Sequence, residues 1–405
     1  MAAASAVVSI VRAVTELPKW PGYGESGSSG SISRVLSSAA AALGVPGFEN
    51  TLRLPAGNRI VVVLVDGLGA ALLKRNLAHA PFLRSVISGG ASHRIINSAF
   101  PSTTASSLSS LGTGLAPGQH GMVGYDVLDP EQDKIVNLLG GWDAKVDPLR
   151  WQDQPTVFEK ISDLLPVATI SLPKFANSAM TQAALRGSQF IPAASVHART
   201  TAAADLLANQ KRALLYFYWS ELDKAGHRYG VNSAQWEFEL AELDAAMRRL
   251  HQQLPAGTQL VLTADHGMID VPESARIDYS ASPELIDGVR HTGGEPRLVQ
   301  LYLEPGADRE ALRAAWVQRW GNRAAIFSRD EAIAAGYFGQ VRAEIAPRIG
   351  DLLIAALEPV AFYDTRRTRP TALEVVGQHG SFTKAEREVP LLQIPVAGKT
   401  TKNVR

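Results

Sequence analysis

The sequence predicts an α/β protein: a doubly wound, mostly parallel sheet flanked by helices, with a smaller α+β insertion. Three observations carry this. Short, β-branched apolar runs recur along the chain. Segments with helical spacing separate them. The runs end on Asp, Gly or other polar residues. A strand covered by helices on both faces reads as a continuous apolar run, and its alternation with helices marks a doubly wound sheet.

In chain order, residues 1–30 end in a Gly/Ser-rich stretch, GYGESGSSGS, and are expected to be a flexible segment. Residues 33–44 (SRVLSSAAAALG) have helical composition. Residues 60–65 (IVVVLV) are a buried strand ending on Asp66-Gly67, and AALLKRNLAHAPFLRSVI after it has helical spacing. VATISL (167–172) is a strand, and a helix begins at 203–208. ALLYFYW (213–219) is a strand, 237–253 an amphipathic helix, and QLVLT (259–263) a strand running into ADHG. Texture changes at about 272, where 298–303 is a strand, 307–319 a helix and 351–358 strand-like. The expected division is a core of 31–271 and 371–395, an α+β insertion at 272–370, and a frayed tail at 396–405.

Composition narrows the function. Lys+Arg number 40 against 39 Asp+Glu, a net charge of +1 that excludes a strongly basic nucleic-acid binder. Cysteine is absent, so disulfide scaffolds, Cys zinc sites and Cys nucleophiles are all excluded. A transition-metal site would have to be built from His and carboxylates. No apolar run approaches the ~20 residues of a membrane span. The N-terminus lacks a positive n-region, and the expected location is cytoplasmic.

Functional groups in such sheets collect at the carboxyl ends of strands. Four places there carry metal-type residues: Asp66 after VVVLV, Asp223 and His227 in ELDKAGHRYG, Asp265-His266 in LTADHGM, and His379 in VVGQHGSF. Singly, each has a plain structural reading as a cap or turn residue. Together, three Asp and three His supply two sets of three N/O ligands, which suits two metal ions bridged by a phosphoryl group. Between the first two places lies SAFPSTTASSLSSLGTGLAPGQHGMVGY, whose Ser/Thr run enters a helix. A hydroxyl at a helix start caps it. The same position also meets an anion with free N–H groups and can attack phosphorus once ionised.

The ordered set of Asp66, FPSTT with GTGLAPGQHG, Asp223-x-x-x-His227, Asp265-His266-Gly267 and Gly377-Gln378-His379-Gly380 resembles the alkaline phosphatase superfamily, and within it the type I phosphodiesterase / nucleotide pyrophosphatase branch. The resemblance spans about 58–385. It implies an alkaline phosphatase-like core and two divalent ions, usually zinc, with manganese as the alternative. One ion would be held by Asp223, His227 and His379, the other by Asp66, Asp265 and His266. It places the nucleophile on Thr104, with Thr103 as the neighbour one position away. The implied substrate is a small phosphate ester or nucleotide.

Two departures leave the phosphate-binding donor open. Ser107 stands where many members have Asn three residues past the nucleophile, and Gly124-Tyr125 falls where they have a second Asn, so Tyr125 is a candidate substrate contact. Sulfatases are excluded by the lack of a C/S-x-P-x-R motif, and cofactor-independent phosphoglycerate mutases by the Thr-bearing segment. Alternatives that share the site are a phosphomonoesterase and a phosphonate hydrolase. A non-catalytic nucleotide-binding protein is the alternative of a different class. Lys174 and Arg186 lie where the family places a cap, and HTGGEPR (291–297) reads as a turn entering the insertion. Oligomeric state is not encoded in any motif found here.

Overall fold

The computed structural model describes residues 17–23 and 30–397. Most of the expected flexible N-terminal segment, and all but two residues of the tail, lie outside these. The described part of that segment is packed rather than loose. Tyr23 is buried, accepts the Phe100 N–H at 3.0 Å and donates to the Tyr337 carbonyl at 2.7 Å. Trp20 meets the Phe100 ring edge-on at 5.6 Å. Aromatic area outweighs the Gly/Ser composition that follows it.

The seven-stranded main sheet runs, in spatial order, His93–Asn97, Glu388–Pro395, Thr258–Thr263, Arg59–Val65, Ala213–Trp219, Val167–Ser171 and Gln189–Pro192. All neighbouring pairs are parallel except those made by Glu388–Pro395, which is antiparallel to both its neighbours. Arg59–Val65 lies at the centre and is buried along 60–65, as its unbroken apolar run requires. The doubly wound sheet flanked by helices is therefore present. Register sets the functional edge: Val65 pairs with Trp219 and Leu64 with Thr263, so Asp66, the 220–223 turn and Asp265 emerge side by side.

A second, six-stranded antiparallel sheet runs Ala324–Ser328, Leu352–Ala356, Leu298–Leu303, Val289–Glu295, Asp126–Asp129 and Lys134–Asn137. Its last two strands come from the stretch after the Thr-bearing helix, outside 272–370. Its outer face packs on the helix Arg309–Trp320 around Trp316, Tyr279 and Phe362.

Several local readings are corrected. The helix at 203–208 is the end of a longer one, Val196–Ala208, whose start is fixed by the Ser195 hydroxyl accepting the Ala198 N–H. The segment after Asp66 is three short helices, broken at Asn76 and at Pro81. HTGGEPR is a turn only at Pro296-Arg297: residues 291–295 belong to the strand Val289–Glu295, which forms a hairpin with Leu298–Leu303. Among the described residues no helix is long and apolar enough to cross a membrane.

Candidate active site

The carboxyl edge of the main sheet brings the six expected ligands into two groups. Asp66, Asp265 and His266 offer atoms all within 4.8 Å of one another, and so do Asp223, His227 and His379. Asp223 and His227 sit one turn apart on the helix Glu221–Tyr229, with His227 Nε2 3.3 Å from Asp223 Oδ1. The Asp66 turn needs glycine: Gly67 has φ +77°, and a Cβ there would lie 3.2 Å from the Asp223 Cα. Gly67 N–H in turn donates to Asp265 Oδ1 at 3.2 Å. The His379 loop is carried in by a two-residue strand, Gly377–Gln378, pairing with Ile269–Asp270 just past His266.

All three histidines are oriented alike. His227 Nδ1 lies 2.8 Å from the Gly377 carbonyl, His379 Nδ1 2.9 Å from the Ser102 carbonyl, and His266 Nδ1 3.0 Å from the Gly267 carbonyl. A carbonyl only accepts, so each Nδ1 carries the proton and each Nε2 is left for a ligand, the arrangement that metal-binding histidines adopt. The His266 and His379 rings stack at 3.6 Å.

The charges are unbalanced. Burial and then the Asp66 charge push the Asp265 carboxyl well above the usual range. The same two causes push Asp223 up to about 6, against the pull of His227 and His266. Burial also acts to raise Asp66, but His266 and the Tyr218 hydroxyl, which donates to Asp66 Oδ2, outweigh it and hold that carboxyl low. His266 goes the other way: burial lowers it, and the charges of Asp265 and Asp66 lift it to about 10. His379 is pushed well below its usual value by burial and by His266 and His227. Asp223 Oδ1 and Asp265 Oδ2 are buried without a hydrogen-bond partner. Crowded carboxylates, orphaned oxygens and three Nε2 atoms turned toward them, that of His266 holding a proton a cation would displace, fit divalent cations.

Thr104 opens the ten-residue helix Thr104–Thr113. Its Oγ1 lies 3.1 Å from His266 Nε2 and 3.5 Å from Asp66 Oδ1. Thr103, one residue earlier, is buried beside Glu295 and bonds neither ligand group. The helix approaches its neighbours closely at Gly112, where a Cβ would collide with the Ala184 carbonyl at 1.7 Å.

The remaining candidates are placed differently. Ser107 accepts the Ala99 N–H at 3.1 Å and is a structural residue of the loop. Tyr125 precedes the strand Asp126–Asp129, half-buried near Asn137. Burial first, with the Asp126 and Glu295 charges, raises its phenol. It therefore lies on the second sheet's side of the site. Arg186 pairs with Glu159 at 3.0 Å and caps backbone carbonyls, away from the ligands. His120 is wholly buried and neutral, so the segment 100–125 brings no cation. One neighbour escaped the sequence reading. Glu295, from HTGGEPR, is buried with Oε2 3.7 Å from His379 Nδ1, and burial lifts its carboxyl to about 8. Gly380, at φ +126°, makes room for it, since a Cβ there would lie 2.5 Å from Glu295 Cδ. Nothing in the local sequence marks that carboxyl, because pairing between strands brings it in.

An open α/β sheet whose carboxyl edge gathers two Asp/His triads around a helix-starting threonine defines the alkaline phosphatase-like class. The sequence profile of the type I phosphodiesterase / nucleotide pyrophosphatase family matches residues 60–382, and the chain belongs to that family. Rat ectonucleotide pyrophosphatase/phosphodiesterase family member 3 is 24% identical over 249 residues, covering 59% of this chain and 28% of the relative. The match thus spans less than a third of that protein's length. Among solved structures, murine ectonucleotide pyrophosphatase / phosphodiesterase 5, in an inactive threonine-to-alanine form in complex with AMP, superposes with a TM-score of 0.66 at 16% identity, covering 83% of this chain and 87% of that one. Phosphonoacetate hydrolase from Sinorhizobium meliloti, in complex with phosphonoacetate, gives 0.63 at 19% identity, covering 85% and 92%.

Proposed function

We propose that the chain hydrolyses a phosphodiester or phosphoanhydride of a small molecule, with Thr104 as nucleophile and two divalent ions, zinc or manganese, on the two triads. The observation that carries this is the position of Thr104 Oγ1 at a helix N-terminus, within 3.1–3.5 Å of two residues of one triad. Ions held by Asp66, Asp265 and His266 and by Asp223, His227 and His379 would supply a low-pKa threonine hydroxyl and charge to offset the phosphoryl oxygens.

The chain's own groups do the rest. Nδ1–H bonds to Ser102, Gly267 and Gly377 fix the three imidazoles. Tyr218 holds Asp66 by one oxygen and leaves the other toward Thr104. The first N–H groups of the Thr104–Thr113 helix face the anion that attack creates. Thr104 Oγ1 bonds to phosphorus and the ester oxygen leaves. Water then cleaves the phosphothreonine ester and restores the hydroxyl, so two inversions give net retention.

A diester is favoured over a monoester because the segment 100–125 contributes no cation for a further phosphoryl oxygen. The test compares kcat/KM for bis(p-nitrophenyl) phosphate and p-nitrophenyl phosphate on one zinc-loaded preparation. A diester preference is expected. A monoester preference of about tenfold, ~1.4 kcal/mol in the barrier, overturns the diesterase reading.

A further inference from the structure

The loop that delivers Thr104 is irregular, and its backbone amides can be accounted for one by one. Residues 98–103 lie between the strand His93–Asn97 and the helix Thr104–Thr113, and all six are buried. Ser98 N–H donates to the Arg387 carbonyl at 2.8 Å and Ala99 N–H to Ser107 Oγ at 3.1 Å. Ser102 N–H donates to the Gly380 carbonyl at 3.2 Å and Thr103 N–H to the Pro101 carbonyl at 2.8 Å. Phe100 N–H donates to the Tyr23 hydroxyl at 3.0 Å. Pro101 has no N–H, so every donor of this buried loop is satisfied. Of these partners only Tyr23 is drawn from the chain ahead of the main sheet's first strand, and it lies outside residues 60–382, the stretch that matches the family.

Tyr23 is itself held at both ends. Its carbonyl accepts the Arg34 Nε–H at 3.0 Å, just where the helix Val35–Ala42 begins. Its hydroxyl donates to the Tyr337 carbonyl at 2.7 Å, and the Tyr337 hydroxyl donates back to the Pro18 carbonyl at 2.7 Å. The Phe100 ring sits among the rings of Tyr337 at 5.2 Å, Phe382 at 4.7 Å and Trp20 at 5.6 Å. One buried hydroxyl thus accepts from the loop before Thr104 and donates to the loop after the helix Arg329–Ala334. A phenol suits this task, because a rigid, packed ring carries one donor and one acceptor at its tip. Misplacing an attacking atom by about 1 Å costs on the order of a hundredfold in rate.

We propose that Tyr23 is a positioning residue for the reaction: its hydroxyl fixes the backbone of the loop that aims Thr104 Oγ1, from a segment that contains none of the six candidate ligands. The proposal rests on the reading of Thr104 as the nucleophile. It adds that aim is set partly from residues 17–23, which pack on the loop from outside the site.

The test uses the full chain, zinc-loaded, with rates taken per folded molecule well below the melting temperature. Tyr23→Phe keeps the ring and removes the hydroxyl. It should lower kcat for bis(p-nitrophenyl) phosphate about tenfold or more and leave KM within about twofold, because attack is misaimed while binding is untouched. Tyr337→Phe removes a hydrogen bond of the same kind, to Pro18, and leaves the Phe100 amide bonded. Its kcat should stay within about twofold of the wild type. A loss in Tyr23→Phe below about threefold, or no larger than that in Tyr337→Phe, overturns the proposal. Hydrogen exchange of the same proteins gives a readout independent of turnover: amides of residues 98–104 should exchange about tenfold or more faster in Tyr23→Phe than in the wild type. Unchanged exchange there also overturns it. A wild type that leaves the diester intact, with that exchange difference present, would sink the hydrolase reading alone.

Discussion

The carbonyl of Ser102 accepts the Nδ1–H of His379 at 2.9 Å, and this one bond ties the loop that carries Thr104 to the loop that carries a candidate metal ligand. Two further contacts close the same seam. Ser102 N–H donates to the Gly380 carbonyl at 3.2 Å, and Ser102 Oγ to the Ser381 carbonyl at 2.7 Å. Beneath it the Phe100 and Phe382 rings stack at 4.7 Å. Residues 277 positions apart are thus joined by side chain and backbone together, which couples the position of Thr104 to that of His379.

Thr104→Ala should lower kcat for a diester by about three orders of magnitude or more, because the attacking oxygen is gone. Zinc content should remain near that of the wild type, since the six ligands are untouched. Thr104→Ser should keep measurable turnover. Thr103→Ala, which removes a hydroxyl that bonds neither triad, should stay within about tenfold of the wild type. Steady-state rates with bis(p-nitrophenyl) phosphate decide it: full activity in Thr104→Ala would mean that water attacks directly.

Asp223→Ala and Asp265→Ala should each remove one of two zinc ions, measured by elemental analysis after desalting. A chelator should lower the melting temperature of the wild type, and zinc should restore it. The reason is electrostatic. Asp223 and Asp265 are pushed up by burial and by Asp66, so the metal-free site stores repulsion that a cation relieves. Equal melting temperatures with and without zinc would count against a metal centre built on these residues.

Much of the site was legible because its residues follow strand ends directly. Asp66 and Asp265-His266 each come within three residues of a buried apolar strand, and Asp223-x-x-x-His227 needs only one helical turn. His379 was named as a candidate from its His-Gly context, but only the resemblance grouped it with Asp223 and His227, because its strand is two residues long. Glu295 was not legible. Its approach to His379 depends on which strands become neighbours, and no local periodicity encodes that. The strand Glu388–Pro395 was missed for the same reason. The stretch is assigned to the core by position but not as a strand, and it fills the gap between His93–Asn97 and Thr258–Thr263.

His120 should make the protein acid-labile. Its ring is fully buried, with Nδ1 accepting the Met122 N–H at 3.2 Å and Nε2 2.9 Å from Ser110 Oγ. Burial depresses its pKa from 6.5 to about 3. The unfolded chain therefore binds a proton between these values and the folded chain does not. Stability is whole above about pH 6.5 and falls as pH drops toward 3, by up to ~5 kcal/mol from this residue if the shift is fully realised. Urea unfolding of chelated protein at pH 7 and pH 5 should show a steeper loss in the wild type than in His120→Asn. Parallel losses would mean that His120 protonates freely in the fold.

Arg297 and Glu386 are both fully buried, and their side chains meet twice, Nε to Oε1 at 2.7 Å and Nη2 to Oε2 at 2.9 Å. Arg297 comes from the hairpin of the second sheet and also donates to the carbonyls of Glu358, Val360 and Ala356. Glu386 accepts the Ser381 N–H at 3.1 Å, and its own carbonyl accepts the Gly267 N–H at 2.6 Å. The pair thus joins the second sheet to the backbone beside His379 and His266. Removing one partner leaves a buried, unpaired group, so Glu386→Gln or Arg297→Met should cost about 3–5 kcal/mol, whereas an apolar pair replacing both should cost less than either alone. Beyond stability, Glu386→Gln should weaken zinc binding, because the His379 and Gly267 loops lose their common anchor. Measuring zinc affinity well below the melting temperature separates this effect from a global loss of folding. A Glu386→Gln protein with wild-type zinc affinity would show that the pair holds the sheets together and leaves the ligands positioned by the Ser102 and Gly267 carbonyls alone.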